Sequence, residues 1–193
     1  VVQDTCQTID LVRNCKIRLY VADAPDGTAN AFQSIDGFGR PFVLITSDLL
    51  KEVGNDDELA LILAHEAAHH ILNHLARQEE NAFEGATLMA EAAARDGGGF
   101  EEVREAQRIG ALVGAHLYTQ EYELEADALG AVILREAGFD ALRGSEFFYR
   151  IPDPGRHALN THPSNATRRA VVRNAVLRNK LPESALVILE PQT

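Results

Sequence analysis

The chain has 193 residues, 46% of them hydrophobic, a net charge of −11 and an isoelectric point near 5.0. That is enough for one well-buried domain and too little for two independent ones, so a single domain over 1–193 is expected. The acidic surface repels phosphate backbones and argues against nucleic acid as a partner, and no apolar run approaches the ~20 residues of a membrane span.

Val1 stands where an initiator methionine would, with no signal peptide, as expected of a processed or trimmed chain. Cys6 and Cys15 are the only cysteines. They close one small loop in an oxidising compartment, or stay as two thiols in a reducing one. Neither is accompanied by the second Cys/His pair of a structural zinc site.

Residues 16–22 alternate and include Ile17, Leu19 and Val21, the pattern of a strand. A turn at Ala24-Pro25-Asp26-Gly27 leads to a short strand at 30–35, and Asp36-Gly37-Phe38-Gly39 turns the chain into a strand at 42–46. Short connections predict an antiparallel sheet. From Asn55 the pattern becomes helical, with Asn55 as cap and Glu58 three residues on. This helix is predicted to reach about Leu75, and its apolar residues surround the axis, so it should be central and buried.

Further helices are predicted over 77–95, over 100–137 with a break near Thr119, and from a Ser164 cap to about Lys180. Residues 151–163 read as a proline-rich loop. The late basic residues Arg168, Arg169, Arg173, Arg178 and Lys180 read as a solvated helix face. The tail from Ser184 reads as a strand or as unstructured chain.

His65-Glu66-Ala67-Ala68-His69 is an H-E-x-x-H motif inside the central helix. Four residues are about 400° of helix, so the two imidazoles project within about 40° of each other and can grip one metal ion. Glu66 lies about 60° from His69, close enough to take a proton from a water on the metal without being a ligand. Zinc in such a site makes that water acidic. Chance supplies about 0.02 occurrences of the pattern in a chain of this composition. By the same helical arithmetic His70 and His74 point about 140° and 180° away from His65, and both read as ordinary histidines.

Zinc needs a third protein ligand and an open fourth position. Leu72 and Leu75 stand where an extended H-E-x-x-H-x-x-G-x-x-H motif needs Gly and His, so that branch is excluded. A glutamate from a second helix is the alternative. In Glu121-Tyr122-Glu123-Leu124-Glu125-Ala126-Asp127, Glu123 and Asp127 share a face that continues inward through Gly130, Ala131 and Leu134. Glu121 and Glu125 share the other side, near Arg135 and Glu136, and read as solvent-facing. Glu123 is therefore the predicted third ligand. Asp127, one turn on, can accept the remaining ring N–H of a ligating histidine. His116 is the rival on the same face.

HEAAH followed by EYELEAD resembles the HtpX/CAAX-prenyl-protease family of gluzincin metallopeptidases, most nearly its soluble or lipoprotein members of the bacterial envelope. Ala29-Asn30-Ala31-Phe32, the stretch 43–50, and His162-Pro163 followed by Arg168 extend the likeness over most of the chain. The resemblance implies an α+β, mainly helical gluzincin-like domain with a small antiparallel sheet near the N-terminus. It also implies that His162 and Arg168 face the metal cleft. There His162 acts as an electrophile or plugs the zinc, and Arg168 orients it or the substrate carbonyl; His157 is a weaker candidate. Thr119-Gln120 replaces the Ser-Arg usual before the acidic motif, so any contact of that arginine is lost. The lack of a hydrophobic span argues against a membrane-embedded prenyl-protein protease, though lipid or peripheral attachment is compatible with it.

The sequence thus points to a zinc endopeptidase acting on unfolded or misassembled proteins. One Zn2+ would be held by His65, His69 and Glu123, with Glu66 as base. An extended polypeptide substrate would pair with an exposed strand edge at 30–34. Residues 77–115 read equally as a lid or as a plain packing hairpin. The expected location is the cell envelope, in the periplasm, with the cytoplasm as alternative. The competing readings are a latent or non-proteolytic metal-binding scaffold or chaperone with a plugged site, and a metal-free helical interaction domain.

Overall fold

The computed structural model describes residues 1–154 and 162–178. His157 and the tail from 179 lie outside them. Helix α1 (Val2–Ile9) is followed by strands β1 (Arg18–Ala22), β2 (Ala31–Ile35) and β3 (Pro41–Thr46), then by helices α2 (Ser47–Glu52) and α3 (Asp56–Ile71). A pair of helices, α4 (His74–Arg95) and α5 (Phe100–His116), precedes α6 (Thr119–Glu136). A short α7 (Ala141–Gly144), a 3-10 turn (Ser145–Tyr149) and α8 (Asn165–Arg178) complete the described chain. The fold is α+β, mainly helical.

The sheet is mixed rather than antiparallel. β2 and β3 form the expected hairpin, with Asp36 Oδ1 accepting from Phe38 N–H and Arg40 N–H to hold the turn. β1, however, runs parallel to β3 on its other side, giving the order β1-β3-β2. A parallel neighbour needs a crossover, and β2 itself supplies it. Short connections therefore fixed the local hairpin but said nothing about where β1 would pair. β1 is exposed along its whole length, so its alternation does not mark a half-buried strand.

α3 forms because Asn55 caps it, its Oδ1 accepting from Asp57 N–H and Glu58 N–H. Glu58 Oε2 reaches back to Gly54 N–H rather than to Asn55, a variant of the capping box. α3 packs on α6, which packs on α8, around Leu61, Ile71, Leu72, Ile133, Leu134 and Val172. At Gly130 the two main helices come so close that an added Cβ would lie 3.0 Å from the His65 backbone nitrogen. That absence of a side chain lets α6 lay its acidic residues beside the H-E-x-x-H turn.

α3 stops earlier than expected. Asn73 adopts the left-handed region at φ 56°, a conformation asparagine tolerates well, and α4 restarts at His74 in a new direction. A second such break, at Tyr118, separates α5 from α6. α4 and α5 pack mainly on each other, through a seam of Gly85, Gly110 and Gly114 where the backbones touch. Their outer faces expose Phe83, Leu88, Phe100 and Leu112. At the N-terminus Cys6 and Cys15 form a disulfide that ties α1 to the segment before β1. No helix among the described residues is long and apolar enough to cross a membrane.

Candidate metal centre

His65 and His69 rise from successive turns of α3, and their Nε2 atoms lie 3.0 Å apart. Glu123 enters from α6, with Oε2 3.5 Å from His65 Nε2 and Oε1 3.3 Å from His69 Nε2. One ligand atom from each of the three lies within 4.8 Å of the others, the only such trio among the described residues. Glu66 sits beside them on the cleft wall.

The field at this point favours positive charge. Burial alone pushes the His65 imidazole down, but hydrogen bonds to Asp127 and Glu123 outweigh it and raise it to about 10. Burial likewise pushes the Glu123 carboxyl up, yet its contacts with His162, His65 and His69 hold it well below the usual carboxylate range. Two imidazole nitrogens and one carboxylate, converging in a negative field with one side open to a cleft, fit a three-ligand divalent cation site.

His162 comes from the loop before α8, with its Nδ1 2.8 Å from Glu123 Oε2. Arg168 is not part of a solvated basic face. It is 8% exposed and forks onto Asp127, at 2.8 Å from Nε to Oδ2 and 2.7 Å from Nη2 to Oδ1. Its Nη2 also lies 3.3 Å from the His65 ring and 3.6 Å from Glu123 Oε2. No hydrogen bond between Arg168 and His162 is found among the described residues. Arg169 stacks over Tyr149, and Arg173 is exposed, as a surface helix face requires. Asp127 is fully buried, and its Oδ1 takes the Nδ1 proton of His65 at 2.9 Å. Burial pushes its carboxyl up, but Arg168 holds it below the usual range.

Two further readings from the sequence fail here. Glu125 does not face solvent; it is fully buried. The restart at His74 swings the first turn of α4 over that side of α6, so that Arg77 Nη1 donates to Glu125 Oε2 at 2.7 Å. His74 does not point away from the motif, because the helix that would have carried it there has already ended. Its Nδ1 lies 2.8 Å from His69 Nδ1, its Nε2 3.0 Å from Glu125 Oε2, and its ring stacks on Tyr122. Burial pushes His74 down to about 4, so the ring is neutral. A signal was available: Glu125 lies on the helical stripe of Tyr122, Leu129 and Ile133, all buried.

The other two histidines among the described residues behave differently. His70 is an ordinary buried histidine, bonded through Nε2 to the Asn14 carbonyl. His116 ends α5, separated from Glu123 by the Tyr118 break, and does not join the trio.

A cleft runs along the site. One part, of about 420 Å³, is lined by Ala29, Leu49, Ile62, Phe147 and Ile151 together with Glu66. The adjoining part, of about 320 Å³, is lined by Phe32, Gln33, Gln78 and Tyr122 with Glu66 and His69. β2 borders both, and the α4–α5 hairpin reaches the cleft only through the start of α4.

The chain is similar to a putative beta-barrel assembly-enhancing protease of Vibrio cholerae serotype O1, at 35% identity over 72% of this chain and 30% of the relative. It is also similar to the beta-barrel assembly-enhancing proteases of Escherichia coli O157:H7 and K12, at 32% and 30% identity, each over 68% of this chain and 30% of the relative. The match thus spans about a third of these relatives' length. The model of peptidase family M48 matches residues 8–176, and the chain belongs to that family.

Proposed function

We propose that this domain is a zinc-dependent endopeptidase of the bacterial cell envelope that cleaves unfolded or misassembled polypeptides. The observation that carries the reading is the convergence of His65, His69 and Glu123 with Glu66 beside them at the floor of a cleft. Zinc held there would supply Lewis acidity, making water acidic and polarising a peptide carbonyl. Glu66 takes the proton of the attacking water and returns it to the leaving amine. His162, exposed at the cleft mouth, donates to the oxygen on which charge develops. Arg168 acts at one remove, holding Asp127 against His65.

The substrate lies extended along β2. Thr46 N–H donates to the Asn30 carbonyl, so the alternation of antiparallel pairing turns the backbone groups of Ala31 and Gln33 to the free edge. Main-chain pairing there gives weak sequence selectivity, which suits quality control. The buried Gln33 Nε2 finds no hydrogen-bond partner among the described residues and is a donor for the same strand. The apolar part of the cleft takes a hydrophobic side chain. The disulfide suits an exported chain. The relatives' name, which couples a protease to β-barrel assembly, is in keeping with misassembled envelope proteins as substrates.

Cleavage of an unfolded casein-type substrate tests the reading. Glu66→Gln is expected to lower turnover by about 10²- to 10⁴-fold with bound zinc retained; unchanged turnover would refute it. A second reading rests on His162 lying against a ligand carboxylate: a latent site plugged by that imidazole. It predicts an inert parent protein, and a His162→Ala variant that is inert too if the chain is a scaffold.

A further inference from the structure

Among the described residues, no carboxylate lies against the second nitrogen of His69. What it has is His74, and behind His74 the buried Glu125. One arrangement of protons along this line leaves His69 Nε2 free to hold a metal. Glu125 also receives Arg77, and an ionised carboxylate can only accept. His74 Nε2, 3.0 Å away, must then be the donor. Only one proton fits between two ring nitrogens 2.8 Å apart, and a His69 that keeps its Nε2 lone pair for the metal carries that proton itself. His74 Nδ1, 2.8 Å from His69 Nδ1, must therefore accept, and the proton between them belongs to His69 Nδ1. The one unprotonated nitrogen left on His69 is Nε2, the atom that faces Glu123 and His65.

We infer that Glu125 fixes the tautomer of His69 through His74, making His74 a positioning residue of the metal centre. The inference rests on the metal site proposed above. The line is held in place by its surroundings. His74 stacks on Tyr122 with 13° between the planes, the Arg77 guanidinium lies over the same ring at 4.1 Å from its centroid, and Asn81 Nδ2 donates to the Tyr122 hydroxyl. All of these groups come from the first two turns of α4 or from α6. The base of the α4–α5 hairpin is thus built into the support of a ligand on α3, and the Asn73 break makes that contact.

Three measurements test this. Long-range proton–nitrogen spectra of the metal-free parent protein are expected to show His74 as the neutral tautomer protonated at Nε2; protonation at Nδ1 instead overturns the relay. Zinc affinity, read by competition with a chelator, is expected to fall about 10- to 100-fold in His74→Phe, which keeps the stack on Tyr122 but offers no acceptor. It is expected to recover at least half of that loss on a logarithmic scale in His74→Asn, whose Oδ1 can take the place of Nδ1. Affinity within twofold of the parent in His74→Phe, or no better in His74→Asn than in His74→Phe, overturns the positioning role. A parent protein that binds no zinc sinks the metal reading, while the ring spectra still decide the tautomer line.

Discussion

The two histidines of one motif, a single helical turn apart, are supported in unlike ways. His65 meets Asp127 directly, and Asp127 is neutralised by Arg168 from α8. His69 meets a second histidine, and the carboxylate beyond it is neutralised by Arg77 from α4. Both lines end in a buried carboxylate of α6 paired with a buried or half-buried arginine. One α-helix thus anchors both ligands from two of its faces, Asp127 on one and Glu125 on the other. The difference lies in who closes each line: a late helix of the main core for His65, and the hairpin base for His69. A change in the hairpin is therefore expected to reach the site through His69, and a change in α8 through His65.

Breaking the His65 line should cost the most. Asp127→Ala leaves Arg168 buried without its partner, a loss of about 3–5 kcal/mol. A melting temperature lower by on the order of 10 °C should accompany it, along with weakened zinc binding. A shift of under 2 °C would mean that the pair is not sealed from water. Removing the disulfide by Cys6→Ser with Cys15→Ser should cost about 2.5 kcal/mol from loop closure alone. Because this staple lies away from both lines, chelator competition should show unchanged zinc affinity.

Arg77→Met tests the His69 line and should cost less than Asp127→Ala, about 1–3 kcal/mol, since His74 still donates to Glu125 and Arg77 is partly exposed. An equal or larger loss would reverse the order of the two lines. The smallest effect concerns Glu58, buried against Arg150 outside both lines. Arg150 holds its carboxyl below the usual range, against burial. Its contribution to stability is therefore fully present above the ordinary carboxylate pKa near 4.5 and is lost as pH falls through the lower folded value. Arg150→Met should flatten that acid limb of the stability profile, as read by denaturant titration at stepped pH.

The sequence made the His65 line legible and hid the other. H-E-x-x-H and Glu123-x-x-x-Asp127 each lie within one unbroken helix, so residue spacing alone places them on shared faces. His74 and Glu125 are related by a backbone break at Asn73, and no periodicity carries across a residue at φ 56°. Extending the helix to Leu75 sent His74 to the wrong side and left Glu125 without the cover that α4 provides. Arg168 shows the same limit from the other direction. Among neighbouring arginines on α8, spacing does not say which one turns inward; the family resemblance singled out Arg168 for the cleft, and the fold shows that its partner is the buried Asp127. In the sheet, the turn at 36–39 specified its hairpin, whereas the pairing of β1 depended on which edge of β3 stayed free.

Metal content after exhaustive dialysis tests the central claim most directly, measured on the parent protein, Glu66→Gln and Glu123→Ala. One zinc per chain in the first two and its loss in the third is the predicted result. Equal zinc in all three, or none in the parent, would contradict a site built from His65, His69 and Glu123.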